Sequence, residues 1–476
     1  MSPIAQSIAV KRAEVEFHRF ASLGQPERAL KEYAEKNYHR AALIRKHLAF
    51  CGRLTPFLEI GANAGHTSYM LANEFGADGF ALDISADALA FGSVLREEFG
   101  YARSPVRVAG DGARLPFRDG SLAFVMTWQT LGQFMDIERV FAEVKRVLAP
   151  GGVFVFGEEP LGRLLSLRLY ECPHPAAMNT WERRLYDWGL LGYFSHDVIG
   201  TREESIIGLR QNHRLSLGFW HRLVAKHFAA REYEIFVPER GWGERVVKRA
   251  TIGLDRCRSV WRAAKLLGGT LTAFCRKEGA ADTAFSPERF EECLACPDCG
   301  GALARDAEGA LACGCGYGAA PEDGVYNLLP SAERAELYPG EREDILDISR
   351  PGHEARLGEG WHGVEGVFGN KYRWIGARAT ARLRRVRPGP LRLRVRGHAP
   401  EAAFAAGRPR IRAIVNGVEA GALEPGRPGL FILEADVPGA EKYEIVIEAQ
   451  PLWRAPGDAR DLTVNLSMIR LLERNR

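Results

Sequence analysis

Between residues 51 and 280 two hydrophobic periods take turns along the chain. Short, nearly continuous apolar runs ("FLEIG", "GFALDIS", "VRVAGD", "LAFVMTW", "GGVFVFGEE") are bounded by turn-forming residues. Such a run predicts a strand covered on both faces. Between them lie "TSYMLANEF", "ADALAFGSVLREEF" and "DIERVFAEVKRVL", whose apolar residues recur at helical spacing. Strict alternation of strand and helix predicts a doubly wound α/β domain with a parallel sheet. "LSLGFWHRLVAKHF" predicts another helix, and "REYEIFV" and "GGTLTAFCRK" two last strands.

On either side the rhythm changes. Residues 1–50 are polar with an apolar stripe at helical spacing, which predicts one or two lead-in helices. Residues 160–215, rich in Arg, His, Tyr and Trp, interrupt the pattern after the fifth strand. They are expected to cover the carboxyl ends of the strands, where ligands bind in such sheets. Residues 290–330 hold a cysteine cluster, and 331–360 are charged with scattered Pro and Gly, as a linker would be. From 361 to 476 short alternating runs ("LRLRVR", "RIRAIVNG", "FILEADV", "YEIVIEAQ", "LTVNLSMIRLL") predict an all-β sandwich or jelly roll.

The 476 residues suit about three domains. With 46% apolar and 26% charged residues, each domain can bury a core. A net charge of +4 provides no overall attraction for a polyanion, so nucleic acid is not an expected partner. "MSPIAQSIAVKRAEVEF" has no signal-type apolar region, and no stretch approaches the roughly 20 apolar residues of a bilayer span. The expected location is the cytoplasm. In a reducing compartment, clustering of five of the nine cysteines from Cys293 to Cys315 points to metal instead of disulfides.

The candidate chemistry starts at "FLEIGANAGHTS". A nucleoside-triphosphate loop needs Gly-Lys-Ser/Thr, but His66 and Thr67 follow Gly65. A dinucleotide fingerprint from Gly61 needs glycine at positions that hold Asn63 and His66. What remains is Glu59, Gly61 and Gly65, with Asn63 in place of a middle glycine. This resembles motif I of the class I S-adenosylmethionine-dependent methyltransferases, whose fold is the doubly wound, Rossmann-like sheet. Three further segments fit that family in order: "ALDIS" with Asp83, "GDGARLPF" with Asp111 and Gly112, and "VLAPGG". The resemblance implies that Gly61, Asn63 and Gly65 let the backbone approach the cofactor, and that Glu59 serves its ammonium group. It implies that Asp83, with Ile84 beside it, takes the ribose hydroxyls. Asp111 would bind the adenine amine, Gly112 would meet the ring, and the Thr127 backbone would line the pocket beside the sulfonium. A domain that kept this fold and lost the cofactor would carry the same pattern.

The acceptor is less legible. "TWQT" after the fourth strand lacks the Asn/Asp-Pro-Pro-aromatic motif of amide and adenine N-methyltransferases. Methylation of an alcohol needs a base. His196 and His213 are the candidates, beside His174 and the carboxylates Glu158 and Glu159; a structural role is the competing reading for each.

"CPDCGG" and "CGCG" resemble a small zinc ribbon that also occurs as a separate methyltransferase activator. Cys296, Cys299, Cys313 and Cys315 would hold a structural zinc, and Cys293 is an alternative because the second knuckle lacks a residue. The C-terminal domain resembles those appended to bacterial glycosyltransferases and related glycan-modifying enzymes. On one strand face Arg392, Arg394 and Arg396 could hold an anionic glycan or simply be solvated; Trp361, Trp374 and Trp453 suit sugar platforms or, better, core. The expected function is methyltransfer to a sugar of a bacterial surface polysaccharide or glycoconjugate. The alternatives are methylation of a small natural product or lipid, and a non-catalytic glycan-binding scaffold. Oligomeric state is not legible.

Overall fold

The computed structural model describes residues 8, 10–12, 14–15, 26–162, 179–188, 212, 215–238, 242–254, 260–280, 288–340, 342–366, 371–386 and 388–473. The chain divides into two compact units: Glu27–Glu333 with the helical stretch around Lys11, and Arg334–Arg476.

In the first unit the predicted parallel strands form. They are β1 (Phe57–Ile60), β2 (Gly79–Asp83), β3 (Val106–Ala109), β4 (Leu122–Trp128) and β5 (Leu148–Leu161). Their order in the sheet is 3-2-1-4-5, all parallel. β6 (Ala230–Phe236) and β7 (Gly269–Arg276) follow, with β7 antiparallel between β5 and β6. Strand order therefore reverses between β1 and β4, the place where such sheets open a crevice at their carboxyl ends.

The helices are α1 (Pro26–Lys46), α2 (Leu48–Cys51), α3 (His66–Glu74), α4 (Ala86–Ala90), α5 (Gly92–Glu98), α6 (Ile137–Val147), α7 (Thr180–Asp187), α8 (Leu217–His227), α9 (Trp242–Gly253) and α10 (Trp261–Leu267). α6 shows why they form. The Asp136 side chain caps its first turn by accepting from Arg139 N. Val140, Phe141, Val144 and Val147, at helical spacing, are all buried against the sheet. The sheet has a core on each face. Alternate residues of β4 divide between them: Val125 joins one core, and Phe124 and Met126 the other, with Phe57, Met70 and Ile44.

The cysteine-rich segment is less separate than expected. Its small strands β8 (Ala304–Arg305), β9 (Leu311–Ala312) and β10 (Gly318–Ala319) make an antiparallel sheet of their own. The hairpin β11 (Pro321–Glu322) and β12 (Val325–Asn327) instead extends the large sheet to nine strands, β12 lying parallel to β3. Without it β3 would be an open edge with unpaired backbone groups. The same segment donates Ala295 N to Pro116 O at 3.0 Å and accepts Arg118 N at Cys293 O at 2.9 Å.

Residues 331–360, expected as a linker, contain α11 (Ser331–Leu337) and β13 (Ile345–Asp347). Leu346 and Ile348 are core residues of the second unit, which is why the linker expectation fails there. That unit also holds β14 (Trp361–Glu365), β15 (Tyr372–Ile375), β16 (Arg378–Arg384), β17 (Leu391–Ala399), α12 (Glu401–Ala406), β18 (Arg410–Val415), β19 (Val418–Leu423), β20 (Gly429–Val437), β21 (Lys442–Gln450) and β22 (Asn465–Glu473). One sheet runs β14-β15-β22-β17-β20, with β13 also on β22; the other runs β16-β21-β18-β19. Leu393, Val395, Ile411, Ile445, Ile447 and Leu466 share one buried core between strands that alternate as the sequence predicts.

Candidate cofactor site

The carboxyl ends of β1, β2, β3 and β4 bring the sequence candidates together. After β1 the chain turns through Gly61 (φ 71°), Asn63 (φ 52°) and Gly65 (φ 81°) before α3 starts at His66. Gly65 needs its left-handed conformation, which a Cβ would strain. Gly61 differs from expectation. A Cβ there would meet the Thr130 side chain at 2.3 Å, so its bare face is filled by protein.

Asp83, 4% exposed, ends β2. Its Oδ2 accepts Asn63 N and its Oδ1 accepts Ser85 N, each at 2.8 Å. One carboxylate thus shapes the turns after β1 and β2 at once, and still has lone pairs for a diol. Half-buried Ile84 stands next to it. Just beyond β3, Asp111 Oδ1 accepts Ala113 N at 2.8 Å, and Oδ2 meets Lys11 Nζ at 2.8 Å. Gly112 packs against Phe134 and Ile60. Thr127 pairs with Ile60 across β1 and β4 and is fully buried, its hydroxyl without a partner.

Glu59 lies wholly inside. Its Oε2 accepts both Ser68 N at 2.8 Å and Ser68 Oγ at 2.6 Å. It therefore grips the first turn of α3 from within. Burial pushes its carboxyl up to about 7, against the pull of Ser68 and Arg40.

A polar network not legible in the sequence adjoins these strand ends. Arg40 of α1, 3% exposed, forks onto Glu158 of β5. It also reaches His66 Nε2 at 3.0 Å and Thr67 Oγ1 at 2.7 Å, and covers the Trp128 ring at 4.8 Å. His66 stacks on Tyr33 with centroids 4.2 Å apart. Burial first, and Arg40 second, hold the His66 ring well below the usual histidine range, so it stays neutral. Since Arg40 can only donate, Nε2 accepts and Nδ1 carries the proton. Asn63, Gln129 (φ 57°) and Glu158 (φ 59°) are non-glycine residues held left-handed at neighbouring strands β1, β4 and β5. Strain of that kind concentrates at functional sites. Single residues such as Arg40 gave no signal in the sequence because their partners lie far along the chain.

Comparison with known proteins fits this geometry. Residues 58–156 match the family described as "Methyltransferase domain". They form a class I S-adenosylmethionine-dependent methyltransferase domain. Among curated relatives, the malonyl-[acyl-carrier protein] O-methyltransferase of Methylococcus capsulatus is 33% identical over 113 residues, 24% of this chain and 40% of that protein. The norajmaline N-methyltransferase of Rauvolfia serpentina is 26% identical over 98 residues, 21% of this chain and 34% of that protein. The chain thus spans well under half the length of the curated relatives it matches. Among solved structures, geranyl diphosphate C-methyltransferase from Streptomyces coelicolor is similar at 15% identity and a TM-score of 0.35, covering 58% of this chain and 99% of that one.

The candidate bases His174, His196 and His213 lie outside the described residues. The carboxylates at the end of β5 are committed: Glu158 to Arg40, and buried Glu159 to Leu131 N at 3.0 Å. Among the described residues, no helix is long and apolar enough to cross a membrane.

The cysteine cluster is real as geometry. The ligand atoms of Cys296, Cys299, Cys313 and Cys315 all lie within 4.8 Å of one another. Cys293 is set apart, its Sγ 3.8 Å from Ser121 O, and burial pushes its thiol up to about 12. The four ligand atoms converge without Cys293.

In the second unit, Arg392 and Arg394 pair with Glu434, and Arg392 also with Asp436. Arg396 is 1% exposed and donates to Ser467 Oγ. Carboxylates on the neighbouring strand thus partner Arg392 and Arg394, which favours the plain strand-face reading over an anionic-glycan site. Trp361 packs on the core as expected. Trp374 and Trp453 do not: they meet edge to face at 5.5 Å, with Tyr372 against Trp374.

Proposed function

We propose that this chain is an S-adenosylmethionine-dependent methyltransferase that O-methylates a sugar of a bacterial surface polysaccharide or glycoconjugate. The observation that carries the methyltransferase reading is Asp83: one buried carboxylate joins the turns after β1 and β2 and keeps acceptor capacity for a ribose diol. A dinucleotide would want the same carboxylate, but the turn lacks that fingerprint's glycines.

When bound, the cofactor would supply an electrophilic methyl group. Asp83 would hold the ribose, Asp111 the adenine amine, and Gly112 with Phe134 the ring edge. The buried end of β4 at Thr127 would exclude water beside the reacting carbon. His196 and His213 of the 160–215 insertion would supply the base, since the β5 carboxylates are held by other partners. Replacing both with Gln should abolish turnover and leave cofactor affinity intact; full turnover would remove them as bases.

Four convergent thiolates fit a closed tetrahedral zinc site. Its role would be structural, holding the β11–β12 hairpin that completes the sheet.

For the acceptor, the supporting feature is the Tyr372, Trp374 and Trp453 cluster outside the apolar core. Glu365 and Arg460 are bonded beside it. Aromatic faces next to paired polar groups suit sugar binding. A second reading, a small natural product or lipid acceptor, is favoured by relatives named for malonyl-[acyl-carrier protein] and for norajmaline. Methyl transfer to sugar nucleotides and oligosaccharides, set against lipid and small-alcohol panels, separates the two. Turnover confined to the latter would overturn the sugar reading.

A further inference from the structure

Asp111 is the carboxylate assigned above to the adenine amine, and another donor of this chain is already on it. Lys11 Nζ lies 2.8 Å from Asp111 Oδ2. The same ammonium lies 2.6 Å from Glu333 Oε2 at the start of α11. All three side chains are largely covered: 16% exposed for Lys11, 11% for Asp111 and 22% for Glu333.

An ammonium and the exocyclic amine of adenine are both N–H donors and compete for the same kind of acceptor. The ammonium is charged, so it draws the stronger bond. Asp111 Oδ1 is held by Ala113 N, a backbone donor that cannot leave without moving the loop. The displaceable partner is Lys11, on a long flexible stem. It has somewhere to go, because Glu333 keeps it charged and paired after Asp111 is released.

We propose that Lys11 competes with the cofactor's adenine amine for Asp111, and that Glu333 is the seat to which Lys11 withdraws when the amine binds. Lys11 and Glu333 are then specificity-determining residues of the cofactor site. They set how much of the binding depends on the 6-amino group. The proposal rests on the methyltransferase reading and on Asp111 facing adenine.

Two replacements of opposite sign test it. Removing the competitor (Lys11→Met) frees Asp111. Weakening the seat (Glu333→Gln) leaves Lys11 on Asp111. A merely structural ion pair would instead respond in the same direction to both. The measurement is calorimetric titration of the full chain with S-adenosylhomocysteine and with S-inosylhomocysteine, which carries a 6-oxo group in place of the amine. Lys11→Met is expected to tighten S-adenosylhomocysteine about fivefold and Glu333→Gln to weaken it by a similar factor. The inosyl analogue should gain nothing from Lys11→Met. Shifts of the same sign in both variants, no shift, or an equal shift with the inosyl analogue overturns the proposal. Wild-type protein that binds neither ligand would sink the methyltransferase reading itself. Equal wild-type affinity for the two would remove Asp111 from the adenine.

Discussion

Arg40 and Glu158 meet through two parallel bonds, 2.8 Å from Nε and 2.7 Å from the second nitrogen, although 118 positions separate them. This fork ties the helix ahead of the domain to the end of β5. It holds Glu158 at φ 59°, and the third guanidinium nitrogen reaches back to His66 and Thr67.

Breaking the fork from one side should be expensive. Arg40→Met leaves Glu158 without its partner and is expected to cost about 3 kcal/mol. The double variant Arg40→Met/Glu158→Gln should recover part of that loss, since no charge is then stranded. A double-mutant cycle in urea measures the coupling; additive losses would show that the pair is not an energetic unit.

Two buried groups predict opposing pH effects. Glu59, raised to about 7 by burial, contributes stability that is present below its unfolded pKa and lost as pH rises from about 4.5 through 7. The shift corresponds to on the order of 3 kcal/mol. His66, lowered by burial, works the other way: its contribution is present above about 6.5 and is lost as pH falls. Glu59→Gln should therefore remove the decline toward neutrality and leave a stability that rises with pH up to about 6.5. Melting temperatures of both proteins at pH 5 and pH 7.5 check this, and parallel curves would contradict it.

Asp83→Ala should weaken S-adenosylhomocysteine binding by at least about tenfold, because the diol loses its acceptor and the turn loses the anchor of Asn63 N and Ser85 N. Asp83→Asn keeps one acceptor and should fall between. Calorimetry gives both affinities; unchanged binding in the alanine variant would place the ribose elsewhere.

Elemental analysis should find one zinc per chain, and Cys299→Ser or Cys313→Ser should lower it well below one. Loss of the metal should raise hydrogen exchange first in Val325–Asn327, the strand paired to β3. Full occupancy in both serine variants would exclude the four-sulfur site.

Strand and helix order in the methyltransferase domain was readable from the chain because each element's period reports the face it buries. The near-continuous apolar runs became the central strands, and the stripe of α6 met the sheet. The turn motif was readable for a related reason. Glycine at a left-handed position, and a carboxylate at a strand end, are local requirements that leave local marks.

What the sequence by itself determined is therefore periodic or local: the doubly wound sheet, the all-β character of the C-terminal region, the Gly61–Gly65 turn, the acid at the end of β2, and the four clustered cysteines. Tertiary structure alone decided which side chains are already spoken for. It put Glu158 on Arg40, Lys11 between Asp111 and Glu333, carboxylates opposite Arg392 and Arg394, and β12 on the edge of β3. These contacts join residues far apart in the chain. Their energies come from charge, burial and backbone pairing at a distance of a few ångströms, and no spacing along a sequence records that distance.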